Sequence, residues 1–257
     1  MIDINASSYD SPLRKRHPRE KVFTTGLALG VVLFGPMPLA PIGAIIWMGY
    51  LLCGINKTPI TRVVKLMAIP MAFMCLSVLT LVFYEIPRGV EPIFAIPIGT
   101  SNWGITPQSL TTGLQVSLKA IASLICLYFL ILTTPMTAIL SILKGWSFLK
   151  LIVELMELTY KMIFLLYDTT SRIYNAQKTR LGYDGVKASF RDLSVLASMA
   201  FKRAFKRSDA LYTALEARGY EGDLLVLEET YATSKWGYLV PTAVTLLILT
   251  LAFWLKL

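Results

Sequence analysis

Apolar runs of near membrane-crossing length constrain this chain more than any other feature. Four precede residue 135, at 22–35, 39–55, 66–84 and 110–133, and a fifth at 236–255 closes the 257-residue chain. Each approaches the ~20 residues with which an α-helix crosses ~30 Å of hydrocarbon. The first two are short, and the breaker Gly35-Pro36-Met37-Pro38 between them predicts a tight hairpin. The first run follows a polar arm and lacks a small-x-small cleavage site, so a cleaved signal peptide is not expected. Charged residues make up 16% of the chain, where a soluble domain carries about a quarter. That shortfall argues for a membrane protein over a soluble globular enzyme, and the composition excludes a disordered chain and a disulfide scaffold. The three cysteines (Cys53, Cys75, Cys126) lie in apolar runs, where a thiol behaves as a small hydrophobe.

The segment 146–167 is apolar enough to suggest a sixth span. Lys150, Glu154, Glu157 and Lys161 nevertheless recur along it at helical spacing, which marks one polar stripe. Glu157 and Lys161 are spaced to pair one turn apart. The distribution of basic residues decides between the readings. With five spans and a cytoplasmic amino terminus, the inner side holds five Lys/Arg at 14–21, three at 57–65 and fourteen at 144–235, or 22 of 25. The outer loop 85–108 holds only Arg88. A sixth span would export eleven basic residues between 172 and 235. The segment 146–167 is therefore expected to lie along the inner membrane surface as an amphipathic helix.

The expected organisation is all-α: a cytoplasmic arm at 1–21, four transmembrane helices within 22–133, a cytoplasmic helical domain at 134–235 and a transmembrane helix at 236–257. Within the cytoplasmic domain, helices are expected at 168–181, ended by Gly182, and at 186–218, ended by Gly219. The basic cluster Lys202, Arg203, Lys206 and Arg207 suits attraction to anionic lipid. It lacks the aromatic interleaving of a nucleic-acid surface, so no nucleic-acid partner is expected.

One internal repeat stands out. Arg180-Leu181-Gly182-Tyr183-Asp184-Gly185 is echoed by Arg218-Gly219-Tyr220-Glu221-Gly222. Glycine as a left-handed cap and arginine against the negative end of the helix dipole account for one such copy. Two copies with the same tyrosine and acid point to two like plugs, hence two like sockets, as on a two-fold dimeric partner. Arginine suits a plug because its rigid fork binds carboxylates or carbonyls bidentately.

Other chemistry is sparse. The chain has no phosphate-cradling G-x-x-x-x-G-K-[ST], no metal-ligand spacing and a single histidine, His17. No catalytic residue, metal site or cofactor is expected. Lys119 lies inside the fourth run, where an intramembrane charge is a functional candidate unless it snorkels. Met67, Met71 and Met74 share a helix face, as a soft-ion ladder or, more simply, as packing. A stand-alone secondary transporter would call for half-helices or a midplane carboxylate, and neither is visible.

Nearly the whole chain resembles the transmembrane T component of energy-coupling factor transporters, most closely the cobalt type, CbiQ. The likeness rests on His17-Pro18-Arg19-Glu20-Lys21, on Thr133-Thr134-Pro135 and on the run from Glu154 to Lys161. It extends through Ala176-Gln177-Lys178-Thr179-Arg180-Leu181-Gly182-Tyr183 and Ala214-Leu215-Glu216-Ala217-Arg218-Gly219-Tyr220. The last two are the sites of the family's paired Ala-Arg-Gly-like motifs, the first departing from the strict form with Thr179-Arg180-Leu181-Gly182. The resemblance implies a non-enzymatic inner-membrane scaffold that joins a dimer of ABC ATPases to a substrate-binding membrane subunit. It implies cobalt as cargo, with nickel or a vitamin as alternatives. It assigns ATPase docking to Arg180, Gly182, Ala217, Arg218 and Gly219, flanked by Thr179, Tyr183 and Tyr220.

Overall fold

The computed structural model describes residues 8, 9, 11–85, 93–98, 101–220, 231 and 236–254. The chain divides into two units, Met1–Ile139 with Thr230–Leu257, and Leu140–Glu229.

In the first unit, α1 (Pro18–Phe34) starts four residues ahead of its apolar run. His17 Nδ1 accepts the Arg19 amide at 3.1 Å and Pro18 occupies the first turn, so local chemistry sets the start. α2 (Leu39–Gly49) continues as a π-helical turn, Tyr50–Ile55. α3 (Ile60–Val82) leads through a small sheet into α4 (Pro107–Thr133), and α5 (Met136–Lys144) runs across the division into the second unit. α8 (Trp236–Trp254) completes the first unit. α4 is central and packs against α1, α2 and α3, while α8 packs on α1 and α2. Met48, Leu52, Cys126, Phe129 and Leu132 form the core, so Cys126 is a packing residue. Gly113 lets α4 approach α3, since a Cβ there would lie 2.6 Å from Val82 Cγ2.

Three helices are long and apolar enough to cross a membrane: α3, α4 and α8. Leu39–Ile55 is apolar but shorter, and α1 has 17 residues, or about 25 Å of rise. The first two runs, read as short from the sequence, are the two short helices, and the other three runs correspond to the three long ones among the described residues. The long α6 of the second unit does not meet the same criterion.

The fold is that of an all-α membrane protein, with one addition. The loop after α3 carries β1 (Tyr84–Glu85), β2 (Phe94–Ile98) and β3 (Ser101–Ile105) as an antiparallel sheet of order β1-β3-β2. Pro97 is tolerated because β2 is an edge strand.

The arm before α1 is not free. Leu13 is buried and Ser11 Oγ donates to Asn56 Oδ1 at 2.5 Å. Glu20 and Lys21, polar in the sequence, are buried. Lys21 Nζ donates to the Thr133 carbonyl at 2.7 Å, placing a cation on the negative end of α4. Two of the runs that carry the family resemblance therefore meet at one bond. Lys21→Met is expected to cost ~1.5–3 kcal/mol, the range for a hydrogen bond to a charged group. The check is a lowered thermal unfolding midpoint in detergent, and an unchanged midpoint would refute it. Lys119 Nζ donates to the Leu33 carbonyl at 3.2 Å, which gives it a structural partner at the end of α1. Met67, Met71 and Met74 are all half-buried on α3, which packs against α4, as helix packing requires.

In the second unit, a 3₁₀ turn (Ser147–Leu149) leads into α6 (Lys150–Lys178), and α7 (Val186–Glu216) returns against it. The two separate helices expected at 146–167 and 168–181 are one 29-residue helix, because no glycine or proline interrupts 150–178. Glu157 and Lys161 do not pair. Glu157 Oε2 is buried without a hydrogen-bond partner, while Arg172 and Asp168 form the i,i+4 bridge at 3.0 Å. Ile173 and Leu196 are buried on α6 and α7 respectively.

Candidate functional site

The repeated motifs close the C-terminal ends of α6 and α7, and the two ends are built alike bond for bond. At the first, Thr179 N donates to Asn175 O, Arg180 N to Gln177 O, Leu181 N to Lys178 O and Gly182 N to Gln177 O. At the second, Ala217 N donates to Thr213 O, Arg218 N to Leu215 O, Gly219 N to Glu216 O and Tyr220 N to Leu215 O. The bonds reach back four, three, three and five residues in both, ending in the pattern of a Schellman motif. Leu181 (φ 61°) and Gly219 (φ 71°) hold the left-handed position.

This alignment corrects the pairing suggested by sequence. Gly182 does not match Gly219. It occupies the place of Tyr220, and the residue matching Gly219 is Leu181. Gly182 is needed for space rather than for handedness, since a Cβ there would lie 2.7 Å from Gln177 O. At Gly219 a Cβ would meet nothing within 4 Å, and only its positive φ favours glycine. The strain at Leu181 yields a prediction. Leu181→Gly is expected to relieve ~1 kcal/mol of left-handed strain. Hydrogen exchange at the amides of residues 181 and 182 should slow about fivefold, and faster exchange would contradict it.

Arg180 and Arg218 occupy the same rung of their ladders. Both are exposed, and neither guanidinium has a hydrogen bond or ion pair among the described residues. They are not brought together, because α7 separates them with 31 residues, or about 45 Å of rise. Thr179 and Ala217 are exposed beside them.

The tyrosines of the two motifs turn inward. Tyr183 Oη donates to Gln177 Oε1 at 2.6 Å, and Tyr183 N donates to Asp192 Oδ2 at 2.9 Å. Its ring lies 4.9 Å from that of Tyr174. Burial, with Tyr174 and Asp192 adding to it, holds the Tyr183 phenol above its ordinary range, so it stays a donor. Gln177 Nε2 donates to Asp192 O at 3.3 Å, tying α6 to α7. At the second tip, Tyr220 Oη lies 3.5 Å from Oε2 of the buried Glu154. Glu221 and Gly222 of the repeat lie outside the described residues.

Each tip is thus braced by α6, the first near its end at Gln177 and the second near its start at Glu154. Those two residues are about 35 Å apart along the helix. Gln177, Asp192 and Glu154 have bracing roles that the repeat did not reveal, because none belongs to it. Gln177 and Glu154 do fall in runs that carry the family resemblance. Among the described residues no three His, Cys, Asp or Glu converge as metal ligands.

A family model described as cobalt transport protein, CbiQ, matches residues 10–229. The chain belongs to this cobalt transport protein family. It is 28% identical over 224 residues to the cobalt transport protein CbiQ of Salmonella typhimurium, covering 87% of this chain and 99% of that protein. It is 29% identical over 142 residues to CbiQ of Rhodobacter capsulatus, covering 55% of this chain and 58% of that one. The energy-coupling factor transporter transmembrane protein EcfT of Streptococcus thermophilus is 34% identical over 129 residues, covering 46% of this chain and 49% of its own. These relatives are named as transport components, not as enzymes. The chain is a membrane protein of the energy-coupling factor transporter class.

Proposed function

We propose that the chain is the scaffold and coupling subunit of an ATP-driven uptake transporter for cobalt ions, with no enzymatic activity of its own. The observation that carries this reading is the pair of matched tips, each presenting one exposed, unpaired arginine on the same hydrogen-bond frame. Two equal plugs suit the two equal faces of an ABC ATPase dimer. Arg180 docks one ATPase and Arg218 the other, each guanidinium meeting carboxylates or carbonyls in a cleft. Gly182 and Gly219 keep the frames closed, and Ala217 and Thr179 leave room beside the arginines.

The mechanism follows from where the tips are braced. Both rest on α6, so a change in separation of the ATPases on binding ATP cannot be absorbed by stretching a helix. It tilts α6 and α7 as stiff rods and passes motion to the membrane helices and to a substrate-binding membrane subunit. Cobalt is cargo, and its ligands belong to that subunit. The cytoplasmic placement of the amino terminus and the coupling helices is supported by the 22 of 25 basic residues that lie on that side.

The test is affinity purification of the chain from its own membranes. Two copies of a nucleotide-binding chain should accompany it, and cobalt uptake by the reconstituted complex should require ATP. Isolation of the chain alone with transport intact would refute the proposal.

A further inference from the structure

Where α6 and α7 pass each other, away from both tips, they leave a cleft of about 340 Å³. One wall is Leu165, Leu166 and Thr169 of α6, and the other is Arg203, Lys206 and Arg207 of α7, with Ala210 at its edge. The three cations are spaced i, i+3 and i+4 and so share one face of α7. No carboxylate lines the cleft. The nearest along α6, Asp168, is held by Arg172 at 3.0 Å. Among the described residues none of the three cations has an ion-pair partner. Thr169 Oγ1 already donates to the Leu165 carbonyl at 2.8 Å, so the donors available to a ligand are the cations themselves.

We propose that this cleft binds the phosphate of an anionic phospholipid. Two guanidiniums and an ammonium lining one cleft without a lining carboxylate suit a phosphodiester, which arginine forks grip bidentately. The half-buried Leu165 and Leu166 favour a lipid over free phosphate, because they offer apolar surface to the glycerol and acyl roots that a bare ion lacks. A chain with membrane-crossing helices also sees anionic headgroups at high local concentration. The site is distinct from the tips and its lipid binding does not rest on ATPase docking.

The test uses the full chain in detergent, titrated with phosphatidylglycerol or phosphatidylcholine and read by native mass spectrometry. The chain should retain phosphatidylglycerol in preference. The triple variant Arg203→Gln, Lys206→Gln, Arg207→Gln should lose on the order of 100-fold in that affinity, at the per-residue contribution expected of basic side chains at an anionic surface. A control of equal charge loss elsewhere, Lys65→Gln, Lys161→Gln, Lys187→Gln, should retain it. The charge-preserving pair Arg203→Lys, Arg207→Lys should keep most of the preference, which guards against a trivial folding defect. Equal loss in cleft and control variants would overturn the proposal. So would displacement of the lipid by millimolar inorganic phosphate. Loss of ATPase co-purification in the cleft variant with lipid retention unchanged would mark a protein surface instead, and would also overturn it.

Discussion

Arg180→Glu combined with Arg218→Glu is expected to strip the ATPases from the purified chain and abolish cobalt uptake, while leaving the chain folded in the membrane. Each guanidinium is exposed and makes no side-chain bond among the described residues, so reversal removes no such contact from the fold. What it removes is the charge a partner must meet, and it places a carboxylate where the socket expects a cation. Losing one member of a buried charged pair costs about 2–5 kcal/mol, so each single reversal should weaken ATPase association by at least tenfold. The double variant should weaken it beyond detection, since the tips act on separate sockets and their effects add. Co-purification and ATP-dependent uptake are the readouts. Retention of both by the double variant would remove the docking assignment.

The second large effect separates two glycines that look equivalent. Gly182→Ala is expected to disrupt the first tip, and Gly219→Ala to disturb the second only mildly. At Gly182 the added Cβ would lie 2.7 Å from a backbone carbonyl of α6 and 3.2 Å from Asp192 Oδ2, the carboxylate oxygen that holds Tyr183. The carbonyl cannot yield without opening the last turn, so Arg180 loses its frame although its charge is untouched. At Gly219 the Cβ meets open space, and the cost is ~1 kcal/mol of left-handed strain. The same strain is already carried by Leu181 at the matching position. ATPase association should therefore fall about tenfold or more for Gly182→Ala and by a few-fold for Gly219→Ala. Equal effects, or the reverse order, would show that the shared hydrogen-bond frame does not control docking.

The apolar runs made a helical membrane protein legible, because crossing hydrocarbon leaves the backbone few alternatives to a helix. The duplicated Arg-Gly-Tyr pattern, with the family resemblance, also directed attention to the two helix ends. A linear repeat aligns like letters, however, and so paired Gly182 with Gly219. The backbone pairs Leu181 with Gly219, since a cap is defined by which amide reaches which carbonyl. The bracing residues were hidden for a related reason. Asp192 and Glu154 act across a helix pair, and no local spacing marks such a contact. The polar character of Glu20 and Lys21 likewise placed them in the arm at 1–21, whereas both lie buried in α1 and Lys21 reaches a carbonyl at the end of α4.

Sequence alone thus determined the class of fold, the repeat at two helix ends and the absence of a P-loop, because each depends on composition or on neighbours along the chain. The tertiary structure alone decided that one continuous α6 braces both tips, that the loop after α3 closes as a small sheet, and that three cations line one cleft without a lining carboxylate. Those outcomes depend on which distant segments come within a few ångströms of one another, and only the folded chain specifies that.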